Sequence, residues 1–469
     1  MGRRENSKSI AVTVTQSYRV IALVVAFALF MQQLDATVLT IALPAMSRDL
    51  NVPATALSLA LTSYLVALAI FIPASGRMAD RFGSRSVFCA ALVIFVTGSV
   101  ACAQSTSISF LIASRFLQGL GGAMMMPVGR LVLLRTVPRE DLVVALSWLV
   151  MPALVGPILG PPIGGLIVTY FDWRWIFYIN VPIGILGLIF ALAIIPEVRS
   201  EAPSQFDWIG FILSGLALAC LVFGLELASH PVRPVVVVIL LGGGAMLAAA
   251  YIRHARVIAN PVLDLSLLKI PTFKLSVAAG SLTRITQGAQ PFLLPLMFQL
   301  GFGLSAAATG MITMSSAIGA IAMKPMAPRI IQRFGYRNSL TVAGIAASLG
   351  YASCAFFRPG SSIAVMIAVL LASGFFMSFL FTGYNAIAFA DVEKSRMSAA
   401  TSFYATFQQL SLSFGICLAV AALGLADWLP GGAGENAELG SFSFAFLIVT
   451  AISAMAVFLN RQFTTDAGR

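Results

Sequence analysis

The chain has 469 residues, of which 59% are hydrophobic and only 10% charged, and its formal net charge is +11. A mean hydropathy of +0.94 lies far outside the range of water-soluble domains and excludes a chain built around cores that face water. The basic residues are scattered between apolar runs and form no patch interleaved with aromatics, which argues against a nucleic-acid partner.

Apolar runs of the roughly 20 residues that a bilayer requires fall near 19–45, 55–75, 85–103, 107–134, 142–170, 174–196, 207–229, 233–252, 272–300, 305–327, 338–357, 361–389, 398–426 and 441–460. They predict an all-α polytopic membrane protein of about fourteen helices. The first run is too long for the core of a cleaved signal peptide, so the first span is expected in the mature protein. With both ends placed in the cytoplasm, only Arg48, Arg174, Arg233 and Arg358 fall in outside loops and Arg115 and Arg284 within spans. The other 23 of the 29 Lys and Arg lie inside, as the positive-inside rule requires. The five cysteines (Cys89, Cys102, Cys220, Cys354 and Cys417) sit in apolar runs without paired spacing and are read as small buried hydrophobes.

The first span carries the first anomaly. "FALFMQQLDATVLTIALPAM" places Asp35 near its middle, where an ionised carboxylate costs roughly 2.5–3.5 kcal/mol on insertion scales and is by default a functional candidate. Between spans two and three, "GRMADRFGSR" supplies Gly76, Asp80, Arg81, Gly83 and Arg85. Its glycines permit close turns and its acid can pair with neighbouring arginines, so it reads as a gating loop. In span four, "RFLQGLGGAMMMPVGR" puts Arg115 inside the membrane. Asp35 lies eight residues before Leu43 and Arg115 eight after Ser107. At ~1.5 Å per residue both sit roughly 12 Å below the outer end and can pair. A static ion pair remains the alternative to a pair whose acid exchanges a proton. Gly119, Gly121 and Gly122 in the same span leave room for close helix packing.

Span five, "LVGPILGPPIGGLIV", concentrates Gly156, Pro157, Gly160, Pro161, Pro162, Gly164 and Gly165. Proline removes backbone donors, and glycine at four-residue spacing opens a face, so this helix is expected to bend or pack tightly between the two halves. "EVRSEAPSQF" after span six is a polar inside link, and "DWLPGGAGENAELG" from Asp427 a flexible outside loop. In span nine, Arg284 lies about twelve residues, or ~18 Å, from the inner end, with Gln287 and Gln290 beside it. It is expected to face a central cavity, against either an anionic substrate group or a structural partner. Gln32, Gln33, Tyr384, Asn385, Tyr404, Gln408 and Gln409 are further candidates for cavity lining.

"PASGRMADRFGSR" (Pro73 to Arg85) recurs as "PMAPRIIQRFGYR" (Pro325 to Arg337), offset by 252 residues. Both copies follow the second span of their half and share orientation, the mark of a parallel duplication. The second copy has Gln332 for Asp80 and Pro328 for Gly76, which predicts a weaker latch. The organisation is therefore a tail at 1–18, a six-helix half at 19–196, a linker with two extra helices at 197–270, a second six-helix half at 271–460, and a tail at 461–469. No metal-ligand cluster, nucleotide loop or hydrolase motif appears, so an enzyme or receptor finds little support.

Together these stretches resemble the major facilitator superfamily along nearly the whole chain. "GRMADRFGSR" is similar to its loop 2–3 signature, "RFLQGLGGA" to its fourth-helix signature, and "GPILGPPIGG" to the fifth-helix motif associated with exporters. "LDATVLTIALPAM" and "WRWIFYINVPIG" resemble its fourteen-helix drug:proton antiporter branch. The resemblance implies two six-helix halves around a central cavity, alternating access, and export of small molecules across a bacterial cytoplasmic membrane. The proton gradient would drive it without a cofactor or metal, in a monomer. By position, Asp35 would be the proton-linked acid and Arg115 its partner. Gly76, Asp80, Arg81, Gly83 and Arg85 would form the inner gate, with Arg130 pairing with Asp80 when the outer side is open. The branch's cation exporters often have acids in their later helices. Here the second half has none within its spans, which points to anionic or zwitterionic cargo. A proton-coupled importer on the same fold is the rival reading.

Overall fold

The computed structural model describes all residues except 1, 138–140, 200–205, 231, 427–436 and 465–469. Most of the "EVRSEAPSQF" link and of the loop from Asp427 therefore lies outside the described residues. Fourteen long helices follow one another: α1 Gly2–Leu50, α2 Ser58–Phe82, α3 Ser84–Ala103, α4 Ile108–Thr136, α5 Leu142–Tyr170, α6 Trp175–Ile194, α7 Trp208–Leu227 and α8 Pro234–Ala255. The series continues with α9 Pro271–Leu296, α10 Ala306–Met323, α11 Ala327–Cys354, α12 Ile363–Ala388, α13 Met397–Ala426 and α14 Leu439–Asn460. No strand occurs among the described residues.

By length and composition 11 of the described helices can each cross a membrane. Of the other three, α5 is a continuous apolar helix that carries four prolines, while α9 and α11 depart for reasons written in their sequences. Arg284, Gln287 and Gln290 dilute α9, which ends in a π-helical turn at Met297–Gly301. The start of α11 holds Arg329, Arg333 and Arg337 and begins well before the predicted span at 338–357.

The repeated loop has a backbone counterpart. Gly83 joins α2 to α3 at φ +96°, and Gly335, 252 residues on, breaks α11 at φ +73°. Both sit where an L side chain is strained, so the duplicated "RFG" is a duplicated left-handed corner. A Cβ at Gly83 would also overlap the Glu197 carboxylate. Gly83→Ala is therefore expected to destabilise the fold by about 1–2 kcal/mol or more, read as a lowered thermal midpoint in detergent. Gly335→Ala should be destabilising for the same backbone reason.

The end where α1 finishes and α2 begins is here called the Asp49 end, and the opposite one the Asp80 end. At the Asp49 end one apolar core joins both halves: Leu39, Leu43, Leu57 and Phe177 pack in the same cluster as Phe292, Phe298, Leu370 and Phe446. Towards the Asp80 end the cores separate. One holds Ile21, Phe88, Met125 and Leu133 of α1, α3 and α4, and another Met323, Leu340, Phe379 and Tyr384 of α10 to α12. The halves are thus closed together at the Asp49 end. Of the two helices between them, α7 packs on α2 and α13, while α8 packs on α7 and buries 11% of its apolar window, leaving the rest to lipid.

Candidate functional site

Asp35 and Arg115 meet deep in the first half. Arg115 Nη1 donates to Asp35 Oδ2 at 2.7 Å, and each side chain is 1% exposed. The other carboxylate oxygen, Oδ1, accepts from Gln118 Nε2 at 2.8 Å and from Asn180 Nδ2 at 2.8 Å. Ser99 Oγ lies behind both amides, accepting from Gln118 at 2.7 Å and from Asn180 at 3.3 Å. Three donors satisfy the two carboxylate oxygens and offset much of the cost of burial.

The guanidinium is held as closely. Arg115 Nη1 also donates to Gln118 Oε1, one helical turn along α4. Its carbon lies 4.5 Å from the centre of the Tyr64 ring and 6.0 Å from that of Phe177, giving the cation two aromatic neighbours. Helices α1, α2, α3, α4 and α6 each contribute a side chain, so movement of any one of them changes the environment of the acid.

Of these groups the sequence singles out only Asp35 and Arg115. Gln118 stands in the quoted fourth-helix stretch and Asn180 in "WRWIFYINVPIG", but neither polar residue is legible as a partner until the helices are assembled. The same "WRW" stretch tethers the start of α6. Trp173 Nε1 donates to Asp49 Oδ2 at 3.2 Å and Arg174 Nη2 to the same oxygen at 2.9 Å.

Helix α5 crosses between halves as its small residues allow. A Cβ at Gly156 would lie 2.8 Å from that of Gln33, and Gly160 and Gly164 face Thr37 and Val38, so this row packs on α1. Gly165 faces the other half: a methyl there would overlap the Ala306 carbonyl, while one at Gly310 of α10 would overlap the carbonyl of Pro161. Thr169 Oγ1 accepts from the Ala307 amide at 3.1 Å, and Gln299 Nε2 donates to the Ile41 carbonyl at 2.9 Å, both across the closed Asp49 end.

The Major Facilitator Superfamily family model matches residues 25–416, and a second match covers 282–462. The chain belongs to this superfamily. It is 38% identical to the transport protein HsrA of Haemophilus influenzae over 93% of this chain and 94% of that one. Multidrug resistance protein MdtD of Klebsiella pneumoniae is 33% identical, over 95% and 94%. Among solved structures, a D-xylose-proton symporter superposes with a TM-score of 0.66 at 14% identity, covering 96% of this chain and 99% of that one. The nucleoside transporter NupG gives 0.61 at 14% identity, over 95% and 100%. The protein is thus a membrane transporter of the major facilitator fold, not an enzyme, with a small-molecule substrate and a lipid surround.

In this major facilitator chain the loop 2–3 residues are engaged within their own half. With the Asp49 end closed, Asp80 forms its ion pair with Arg135, at the end of α4. Arg130 lies exposed on α4. Five residues separate the two arginines, nearly a turn and a half, and only Arg135 reaches the end of α2. Arg85 approaches Glu197 at 3.7 Å, and the Ser84 amide donates to the Val198 carbonyl at 3.1 Å, stitching the segment after α6 to the corner at Gly83. Arg81 lies over the Phe82 ring at 5.4 Å. A Cβ at Gly76 would meet nothing within 4 Å, so the closed Asp49 end makes no use of this glycine.

Arg284 in the second half is buried, with 3% exposure. Its Nη2 donates to Tyr404 Oη at 3.2 Å, its guanidinium carbon lies 5.0 Å from the centre of the Tyr404 ring and 5.3 Å from that of Phe381, and its Nε has no partner. Gly280 makes room for it, since a Cβ there would meet Nη1 at 2.5 Å. Lys324, just after α10, lies 5.7 Å from the centre of the same Phe381 ring and donates to Thr382 Oγ1 at 3.2 Å. Among the described residues no acid forms an ion pair with either cation.

The other candidate lining residues divide. Gln408 Nε2 donates to Asn385 Oδ1 at 3.2 Å, linking α13 to α12. Gln287 is partly buried, and Gln290 is buried with its Nε2 unpartnered. Gln32 is partly buried and Gln33 exposed. Tyr384 is buried and donates to Asn460 Oδ1 at 2.7 Å, which fixes α12 to α14.

Proposed function

We propose that this transporter is a proton-coupled antiporter that exports small molecules, with the Asp80 end in the cytoplasm and Asp35 as the proton site. The observation that carries this reading is a carboxylate buried at membrane depth and held by one guanidinium and two amides. Protonation removes the charge that Arg115 needs, leaving the cation with the Gln118 carbonyl and the Tyr64 face. An uncompensated buried charge costs about 3–5 kcal/mol, enough to shift a two-state equilibrium by more than a hundredfold. Proton binding therefore biases the packing of the five contributing helices, and those helices carry the closure at the Asp49 end. The open side of Gly76 suits a close approach by the second half when the Asp80 end shuts.

The cargo class follows from the second half. Arg284 and Lys324 flank Phe381, and an anionic group on a small organic molecule or metal chelate would satisfy the free Arg284 donor. The chain would act as a monomer, powered by the proton gradient with no cofactor.

The test is proton movement in proteoliposomes, comparing a tricarboxylate with a lipophilic cation dye and using Asp35→Asn as control. Carboxylate-induced proton release that depends on Asp35 is the expected result. Release by the dye alone would keep the antiporter and remove Arg284 as a substrate contact, whereas uptake of substrate together with protons would reverse the direction.

A further inference from the structure

Glu226 is a fully buried acid, 0% exposed, near the end of α7, a helix outside the two six-helix halves. The carboxylate does not sit within its own helix pair. It reaches between the halves at the closed Asp49 end. From α2, Ser58 Oγ hydrogen-bonds Oε1, and Thr62 Oγ1 lies 3.5 Å from Oε2. From α13, the Cys417 thiol lies next to the same side chain, and Val66, Val222 and Cys417 form an apolar patch beside it. The titratable groups facing it are Cys417 and His230, the latter one turn on, while α2 presents only hydroxyls. His230 Nε2 is 3.8 Å from Oε1, its side chain is 10% exposed, and that nitrogen has no hydrogen-bond partner.

The surroundings then bear on the state of the acid. Ser58 Oγ also lies 2.6 Å from the Thr55 carbonyl oxygen, which can only accept. A serine hydroxyl has one proton. That proton can go to Thr55 or to Glu226, and when it goes to Thr55 the hydrogen bond between Ser58 Oγ and Glu226 Oε1 takes its proton from the carboxyl. No lysine or arginine is bonded to Glu226 among the described residues, and a bare carboxylate in such a place is strongly disfavoured.

We propose that Glu226 is a second proton-binding site, neutral while the halves are closed at the Asp49 end, and that it loses its proton to water there when α2 and α13 separate. His230 is positioned to stabilise the carboxylate once it forms. The inserted helix pair thereby acts as a latch: acid at the Asp49 end favours closure of that end, and alkali favours opening. This site is separate from Asp35, which bonds groups of the first half alone, and it does not depend on what is transported.

The test measures distance across the closed end without substrate. Bio-orthogonal spin labels at Thr106 and Gly360, exposed positions in opposite halves, leave all five cysteines in place. Pulsed electron spin distances are taken in lipid nanodiscs from pH 5 to 9. The background is Asp35→Asn/Arg115→Gln, so that the other titrating pair is silent. The long-distance fraction is expected to grow with pH in that background and to lose at least four-fifths of its pH response in Glu226→Gln, which stays closed. His230→Gln, which keeps the acid, is expected to move the midpoint upward by about one pH unit, because the ionised form loses its cation. If Glu226→Gln does not yield folded protein, the His230→Gln midpoint decides. A response unchanged by Glu226→Gln, a background with no response, or a midpoint unmoved by His230→Gln would overturn the proposal.

Discussion

Asp35→Asn is expected to reduce substrate-driven proton movement to the level of empty vesicles, and to lower the thermal midpoint as well. The second effect comes from Arg115. Asparagine keeps the shape of the acid and can still accept from Gln118 or Asn180, but it leaves the guanidinium buried and uncompensated, at about 3–5 kcal/mol. The loss of activity alone would therefore be ambiguous. Asp35→Asn/Arg115→Gln separates the causes, because it removes the stranded charge, the main cost of breaking a buried pair. The double variant is expected to recover most of the thermal midpoint and none of the proton movement. Recovery of both would assign the pair a structural role and dismiss Asp35 as the proton site.

Gly310→Val should disable the cycle by another route. Helices α5 and α10 meet backbone to backbone, with Gly310 against the Pro161 carbonyl and Gly165 against that of Ala306. A branched side chain at Gly310 cannot fit while the Asp49 end is closed, and overpacking of this kind typically costs about 1–3 kcal/mol. The penalty falls on the closed arrangement only, so the population of the open one should rise by roughly 5- to 150-fold. The measurement is accessibility of an introduced cysteine at Thr169, beside the seam, to a membrane-impermeant thiol reagent. Modification is expected to quicken in Gly310→Val, and Gly165→Val should act in the same direction. An unchanged rate with normal transport would show that the seam is not part of alternating access.

The two effects are physically different. At Asp35 a charge is removed and an electrostatic balance changes sign, whereas at Gly310 volume is added and one packing arrangement is lost. Glu226 joins them, because the hydroxyls of α2 and the thiol of α13 meet it where the two halves adjoin.

The amino-acid sequence by itself determined the solvent and the plan. Apolar runs of bilayer length require helices, since backbone groups in lipid must be satisfied within their own segment. The repeated "RFG" revealed the duplication, and its left-handed corners at Gly83 and Gly335 follow from a conformation that only glycine adopts without strain. Equal depth in neighbouring runs was enough to pair Asp35 with Arg115, because helix rise converts residue number directly into distance along the membrane normal.

What the tertiary structure decided was direction around each helix and contact between distant segments. Gln118 and Asn180 join Asp35 because α4 and α6 turn those faces towards α1. With the Asp49 end closed, Asp80 takes Arg135, which lies at the end of α4 within reach of the end of α2. Glu226, legible only as a stray acid in an extra span, meets both halves because α7 docks at the junction of α2 with α13. Residue count along a helix fixes depth, but azimuth and docking depend on the packing of all the helices together, and no local pattern encodes them.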